Sequence, residues 1–325
     1  MKAFNSVRLL SIRWMFAFLF LTLTPMVHAQ WQATLGAQSH SMGHQALAFL
    51  PNEIWIHTGE SITWTSNVDE IHTVSFLTAG QVRLPFQVGC PGFTVTGFAT
   101  FDGSTCITTP PLVKGQTFTV TFSTAGNFKL VCLVHQNMTG VVHVLDWSQP
   151  LPHAQSFYDL QAAAEGNALL SDDLHNHQVA VRPGKNSVTA GVGEVVANGG
   201  GSQTLAVVRF MEPTKVIHAG ETVEWTNLDP ATPHTITFGI EPGNPVPPVN
   251  ATLDPDGALH GIVNSSADNV HSGLILAAPQ DQMFLPTPPL SVTRFRVTFP
   301  HAGVFPYICV LHDNLGMKAE VIVLP

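Results

Sequence analysis

Apolar and polar positions alternate along much of this chain. Ile62 and Trp64, then Val74 and Phe76, and further on Val223 and Trp225, then Ile236 and Phe238, have polar residues between them. A period of two is that of strands with one buried face. Gly and Pro, 26 and 24 of 325 residues, punctuate these runs, so the chain reads as many short strands and turns, all-β in class. The pattern occurs twice. FLPNEIWIHTGESITW, from Phe49 to Trp64, matches FMEPTKVIHAGETVEW, from Phe210 to Trp225, without a gap. VTFSTAGNFKLVCLVH, from Val120 to His135, matches VTFPHAGVFPYICVLH, from Val297 to His312, and a Pro-Pro-Leu precedes each copy at Pro110 and Pro288. The repeat brackets the start and end of a unit, which predicts two Greek-key β-sandwiches in series over residues 30–150 and 175–325. One segment breaks the period. From Ala154 to Ser171, Phe157, Leu160, Ala164 and Ala168 fall on one helical stripe, predicting a helical linker over 151–174 that ends near Asp172 to Asn176.

Lys2, Arg8 and Arg13 precede an apolar run from Trp14 to about Thr24, and Val27-His28-Ala29 has the small-x-small pattern of a cleavage site. Residues 1–29 therefore read as a signal peptide, with export to the periplasm or beyond and a mature chain from Gln30. The alternative, a retained anchor, has an apolar run shorter than the ~20 residues of a spanning helix, and no later stretch qualifies. Cleavage removes three basic residues and no acidic one, taking the formal charge from −9 to −12. That surface makes nucleic acid a poor partner.

Sixteen His beside four Cys direct attention to metals. The first copy ends in Cys132-x-x-His135-x-x-Met138 and the second in Cys309-x-x-His312-x-x-x-x-Met317. Each offers a thiolate, an imidazole and a thioether on one short loop between strands. A further His must close a trigonal His2Cys plane with a weak axial Met, and His72 and His234, eight and nine residues after the repeated Trp, open equivalent strands HTVSF and HTITF. Thiolate and thioether suit Cu(I) while imidazole also accepts Cu(II); the Met argues for copper over zinc. Counted from the following strand, Met138 and Met317 share a register, although Leu315 sits at the Met138 offset from its Cys and would leave that site without a thioether. With Cys132 and Cys309 assigned, Cys90 and Cys106 remain for a disulfide in an exported protein. His57 and His218 read as turn residues. His40 with His44 and His175 with His177 are imidazole pairs able to bind adventitious metal and are not counted as sites, and His260 and His271 lie in an insertion, Pro242 to Gln282, where a lid or supporting role is open.

These segments resemble the blue, or type 1, copper proteins of the cupredoxin family. The loop of the first copy is similar to that of amicyanin and the loop of the second to that of plastocyanin. The resemblance implies two type 1 copper ions per chain, an electron-transfer role with a redox partner protein rather than enzymatic turnover, and loop imidazoles, His135 and His312, whose edges face that partner. Two other readings stand beside it. A copper oxidoreductase of the multicopper oxidase or nitrite reductase kind would use an additional copper at an interface, but such enzymes resemble one another in placing His next to the copper Cys. Here Val131 and Leu133 flank Cys132, and Ile308 and Val310 flank Cys309. A copper-handling protein would favour exposed Met and His clusters.

Overall fold

The computed structural model describes residues 29–83, 90, 94–171, 184–277 and 291–325. The signal segment up to His28, the predicted start of the second unit at Asp172 to Asn176, the pair His175 and His177, and Pro288 lie outside the described residues. Among them, strands form one sheet of eleven, two of five and one of two, and the fold is all-β with one helix.

The repeat in sequence becomes a repeat in pairing. In the first half, strand Gln30–Gln38 lies parallel to Ser61–Ser66, and Glu53–His57 lies parallel to Thr139–Leu145. In the second, Ser187–Asn198 lies parallel to Thr222–Leu228, and Thr214–His218 to Lys318–Leu324. Each five-stranded sheet faces one half of the large sheet, and the alternating apolar residues meet between them. Ile62, Trp64, Val74 and Phe76 are buried in one core; Val223, Trp225, Ile236 and Phe238 are buried in the other. Trp64 and Trp225 are the largest fully buried side chains, so at about 25 cal/mol per Å² of apolar surface each is a large contributor to its core.

The halves are not separate bodies strung on a helix. Strand Gly201–Phe210 pairs antiparallel with His44–Leu50, from Thr204 opposite Leu47 to Val207 opposite His44, so the front layers of the two sandwiches form one continuous sheet. Ala46 to Leu50 is an unbroken buried run rather than an alternating one, as expected of a strand covered on both faces. Its outer face carries a cluster of its own, in which Ala46, Ala48, Leu50, Leu205 and Val207 pack with Leu169 of the helix Gln155–Ser171.

That helix corrects the predicted stripe. Phe157 and Leu160 are exposed, at 44% and 73%, and Ala164 and Ala168 also face away from the sheet; Tyr158, Gly166 and Leu169 are the buried residues. Apolarity alone did not choose the face because the helix is Ala-rich all round. Tyr158 places its hydroxyl to accept the Trp55 N–H at 3.0 Å and its ring edge-on to Trp31. Gly166 permits close approach, since a Cβ there would meet Leu50 and Ala37 at 3.3 and 3.4 Å. The helix is a clamp over the seam. The insertion after Pro242 likewise adds strands: Ala251–Leu253 and Leu259–Ile262 extend the large sheet, while Val270–His271 pairs with Thr237–Phe238.

Candidate metal centres

Each candidate site forms where a hairpin loop at the end of a sandwich meets a residue from a separate segment. Cys132 follows strand Gly126–Val131 and Met138 precedes Thr139–Leu145; the Cys132 N–H donates to the Met138 carbonyl at 2.9 Å and closes the loop. In the second half the Cys309 N–H donates to the Met317 carbonyl at 3.1 Å. The residue before each Met is left-handed, Asn137 at φ 59° and Gly316 at φ 93°, the region that Asn and Gly enter most readily. Met317, not Leu315, thus occupies the structural place of Met138; Met138, Met317 and Leu315 are all buried, each in the same core cluster as the Cys of its half. His72 and His234 are tied in by paired backbone hydrogen bonds with Leu112 and Ile275.

In the first half His72, Cys132 and His135 converge, and in the second His234, Cys309 and His312, each set with its ligand atoms within 4.8 Å of one another. His72 Nδ1 lies 3.2 Å from His135 Nδ1, which is 3.8 Å from Cys132 Sγ. His234 Nδ1 lies 3.2 Å from His312 Nδ1, and Cys309 Sγ is 3.8 and 3.4 Å from the two. Two imidazole nitrogens and one sulfur, fully buried and turned toward a common point, with a thioether residue beside them, fit copper by softness and number.

The surroundings prepare the thiolate. Thr73 N–H points at Cys132 Sγ at 3.4 Å and Thr235 N–H at Cys309 Sγ at 3.3 Å, while the Thr hydroxyls accept the N–H groups of Leu133 and Val310 at 2.7 and 2.8 Å. Burial by itself would raise both thiols. Hydrogen bonds and charge from the paired imidazoles outweigh it and bring Cys132 and Cys309 well below the ordinary range. Burial opposes charge on His234 as well, yet Asp229 and Cys309 raise it to about 9.

A further acid joins the two centres. Glu70, buried, sets Oε1 3.2 Å from His135 Nε2 and Oε2 3.5 Å from His312 Nε2. Burial alone would raise this carboxyl; His312, His135 and His72 together hold it at about 2. The loop imidazoles therefore do not present outward edges. His135 and His312 are 1% and 2% exposed, because the halves dock reciprocally: Ala231 of the second packs into the first core and Met42 of the first packs against the second. The expected exposed edge is corrected by this docking, not by the insertion.

Two glycines were missed in the sequence. At the bulges of Gln30–Gln38 and Ser187–Asn198, Gly36 and Gly191 have φ of 67° and 81°, and a Cβ would stand 2.8 Å from His72 Nε2 and 2.1 Å from His234 Nε2. The two occupy equivalent places, as the third residues of Thr34-Leu-Gly36 and Thr189-Ala-Gly191, but upstream of the gapless repeat that starts at Phe49 and Phe210, so the sequence match alone does not pair them. Cys90 and Cys106 form a disulfide, with Cα atoms 5.6 Å apart. His57 stacks on Trp147, and His218 is exposed at its turn. His271 is held between Thr237 Oγ1 and the Pro245 carbonyl, and His260 between Asp254 and Thr298; both hold the insertion to the sandwich.

A search of curated proteins returns no match. Solved structures of amicyanin are similar over a short span. A reduced amicyanin variant is 18% identical, covering 36% of this chain and 82% of its own at a TM-score of 0.25. Amicyanin from Paracoccus versutus (Thiobacillus versutus) is 20% identical, covering 38% and 85% at 0.25. Overlaps of that score carry no weight here. The sequence match does: residues 37–145, which contain His72, Cys132, His135 and Met138, match the family described as copper binding proteins, plastocyanin/azurin family.

Proposed function

We propose that this protein is an exported blue copper protein that carries electrons, with one type 1 copper ion held by His72, Cys132, His135 and Met138 and a second by His234, Cys309, His312 and Met317. The observation that carries this reading is the doubled cage of one thiol and two imidazoles, each closed within 4.8 Å and buried. Copper, when bound, supplies a one-electron couple. The chain supplies rigidity: the ligands sit on paired strands and hydrogen-bonded loops, so the same donors serve both oxidation states with little movement. The thiolate-favouring N–H groups of Thr73 and Thr235 hold charge on sulfur without a proton to move. Residues 1–29 direct export with cleavage after Ala29, and the partner is another redox protein.

Titration of the metal-free protein with Cu(II) tests this. An intense visible charge-transfer band saturating at two ions per chain is expected, and colourless uptake would defeat the His2Cys assignment. One observation favours a second reading as a copper oxidoreductase: a cavity of about 120 Å³ lies between the halves, lined by Glu70, His135, Thr232 and His312. Sustained oxygen uptake or nitrite reduction by the copper-loaded protein would replace the carrier role with that one.

A further inference from the structure

Among the described residues Glu70 is the one carboxylate that reaches both cages, at 3.2 Å from His135 Nε2 and 3.5 Å from His312 Nε2. Each of these rings turns Nδ1 inward, toward His72 and Cys132 in one case and toward His234 and Cys309 in the other. A neutral imidazole that offers Nδ1 as a donor atom to a metal carries its proton on Nε2, and that N–H needs an acceptor. Both rings border one cavity of about 120 Å³ between the halves, and among the described residues the side-chain acceptor that reaches both is Glu70, itself 6% exposed. One carboxylate has two oxygens with lone pairs to spare, so it can take an N–H from each ring.

The repeat shows that this sharing is particular to the first copy. Glu70 stands two residues before His72; two residues before His234 stands Thr232, buried and lining the same cavity, with no hydrogen-bond partner for its hydroxyl among the described residues. A second carboxylate there would set two like charges in one small cavity, a strongly unfavourable arrangement in a buried site.

We propose that Glu70 is a shared positioning residue that fixes the ring orientation and proton position of His135 and His312 together, so that the metal site of the second half depends on a residue of the first. Outer carboxylates of this kind, when removed, weaken metal binding by about 10- to 100-fold. The new element is that a single side chain exerts this effect on two ions. The inference rests on the copper reading of both cages.

The test isolates each site in the full-length chain. Copper affinity of the second site is measured in a Cys132→Ser background and that of the first in a Cys309→Ser background, each with Glu70 intact, Glu70→Ala or Glu70→Gln. The expected result is a loss of about 10- to 100-fold at both sites for Glu70→Ala, and a loss for Glu70→Gln at one site or both, because the amide keeps one acceptor oxygen and turns an NH2 toward the other ring. Nitrogen-15 NMR of the Cu(I) protein adds a readout of the hydrogen bond itself: the His312 Nε2 proton is shifted downfield with Glu70 and loses that shift with alanine. The proposal is overturned if the second site of Glu70→Ala binds within twofold of its parent. It is equally overturned if Glu70→Gln restores both sites to parental affinity, since filling space would then suffice. A parent chain that binds no copper defeats the copper reading and this inference together, whereas two tight ions undisturbed by Glu70→Ala defeat this inference alone.

Discussion

His234 shows how closely a single residue is held at these cages. Its ring has Gly191 on one side, where a Cβ would sit 2.1 Å from Nε2 at a φ of 81°, and Cys309 on the other. Gly191→Ala is expected to displace the ring and to abolish the charge-transfer band of the second site. Gly36→Ala, with a Cβ 2.8 Å from His72 Nε2, is expected to weaken the first site less, and equal losses in the two variants would contradict the geometry. Both substitutions also place a side chain in the left-handed region, at about 1 kcal/mol or more. Metal counting addresses the ligands themselves: two ions are expected in the parent and one each in Cys132→Ser and Cys309→Ser, by elemental analysis after dialysis. A parent value of one would leave one half as scaffold.

At the scale of elements, the helix and the disulfide loop hold the sandwich from outside. Tyr158→Phe leaves the Trp55 N–H without its acceptor, an expected loss of about 1 to 3 kcal/mol in urea unfolding. Leu160→Gln, on the exposed face, should change stability by no more than about 0.5 kcal/mol, while Gly166→Val, against Ala37 and Leu50, should lower it by about 1 to 3 kcal/mol. The opposite ranking would restore the stripe that apolarity alone suggested. The Cys90–Cys106 bond closes a separation of 16 residues, and replacing both by Ser is expected to lower stability by about 3 kcal/mol on the chain-entropy account.

For the whole molecule the seam is decisive. Strand His44–Leu50 has Gly201–Phe210 as its neighbour on one edge, so a fragment of residues 30–150 would bare an apolar strand edge, a template for pairing with another chain. That fragment is expected to self-associate in size-exclusion chromatography and to bind ANS, whereas the full chain does not; a monodisperse fragment melting with the full chain would show that the seam contributes little. The same docking buries His135 and His312 and brings Glu70 to both, so loss of the seam should also weaken copper binding by the first half.

Taken alone, the sequence determined what depends on local pattern. Alternation in Ile62-Thr-Trp64 specifies a strand because side chains on adjacent residues must point to opposite faces, and a gapless repeat imposes the same pairing twice. Cys132, His135 and Met138 were legible together because a short loop between two strands keeps them close whatever the rest of the chain does. Glu70, Gly36 and Gly191 were not, since their roles arise from contacts with residues far along the chain, His312 and His234 among them. Nor was the buried face of the helix, which a hydroxyl on Tyr158 and a missing side chain at Gly166 select rather than hydrophobicity. Only the tertiary structure decided that the two sandwiches share one sheet and turn their imidazoles toward each other, because strand edges and docking surfaces pair through backbone groups and shape, which residue type alone barely encodes.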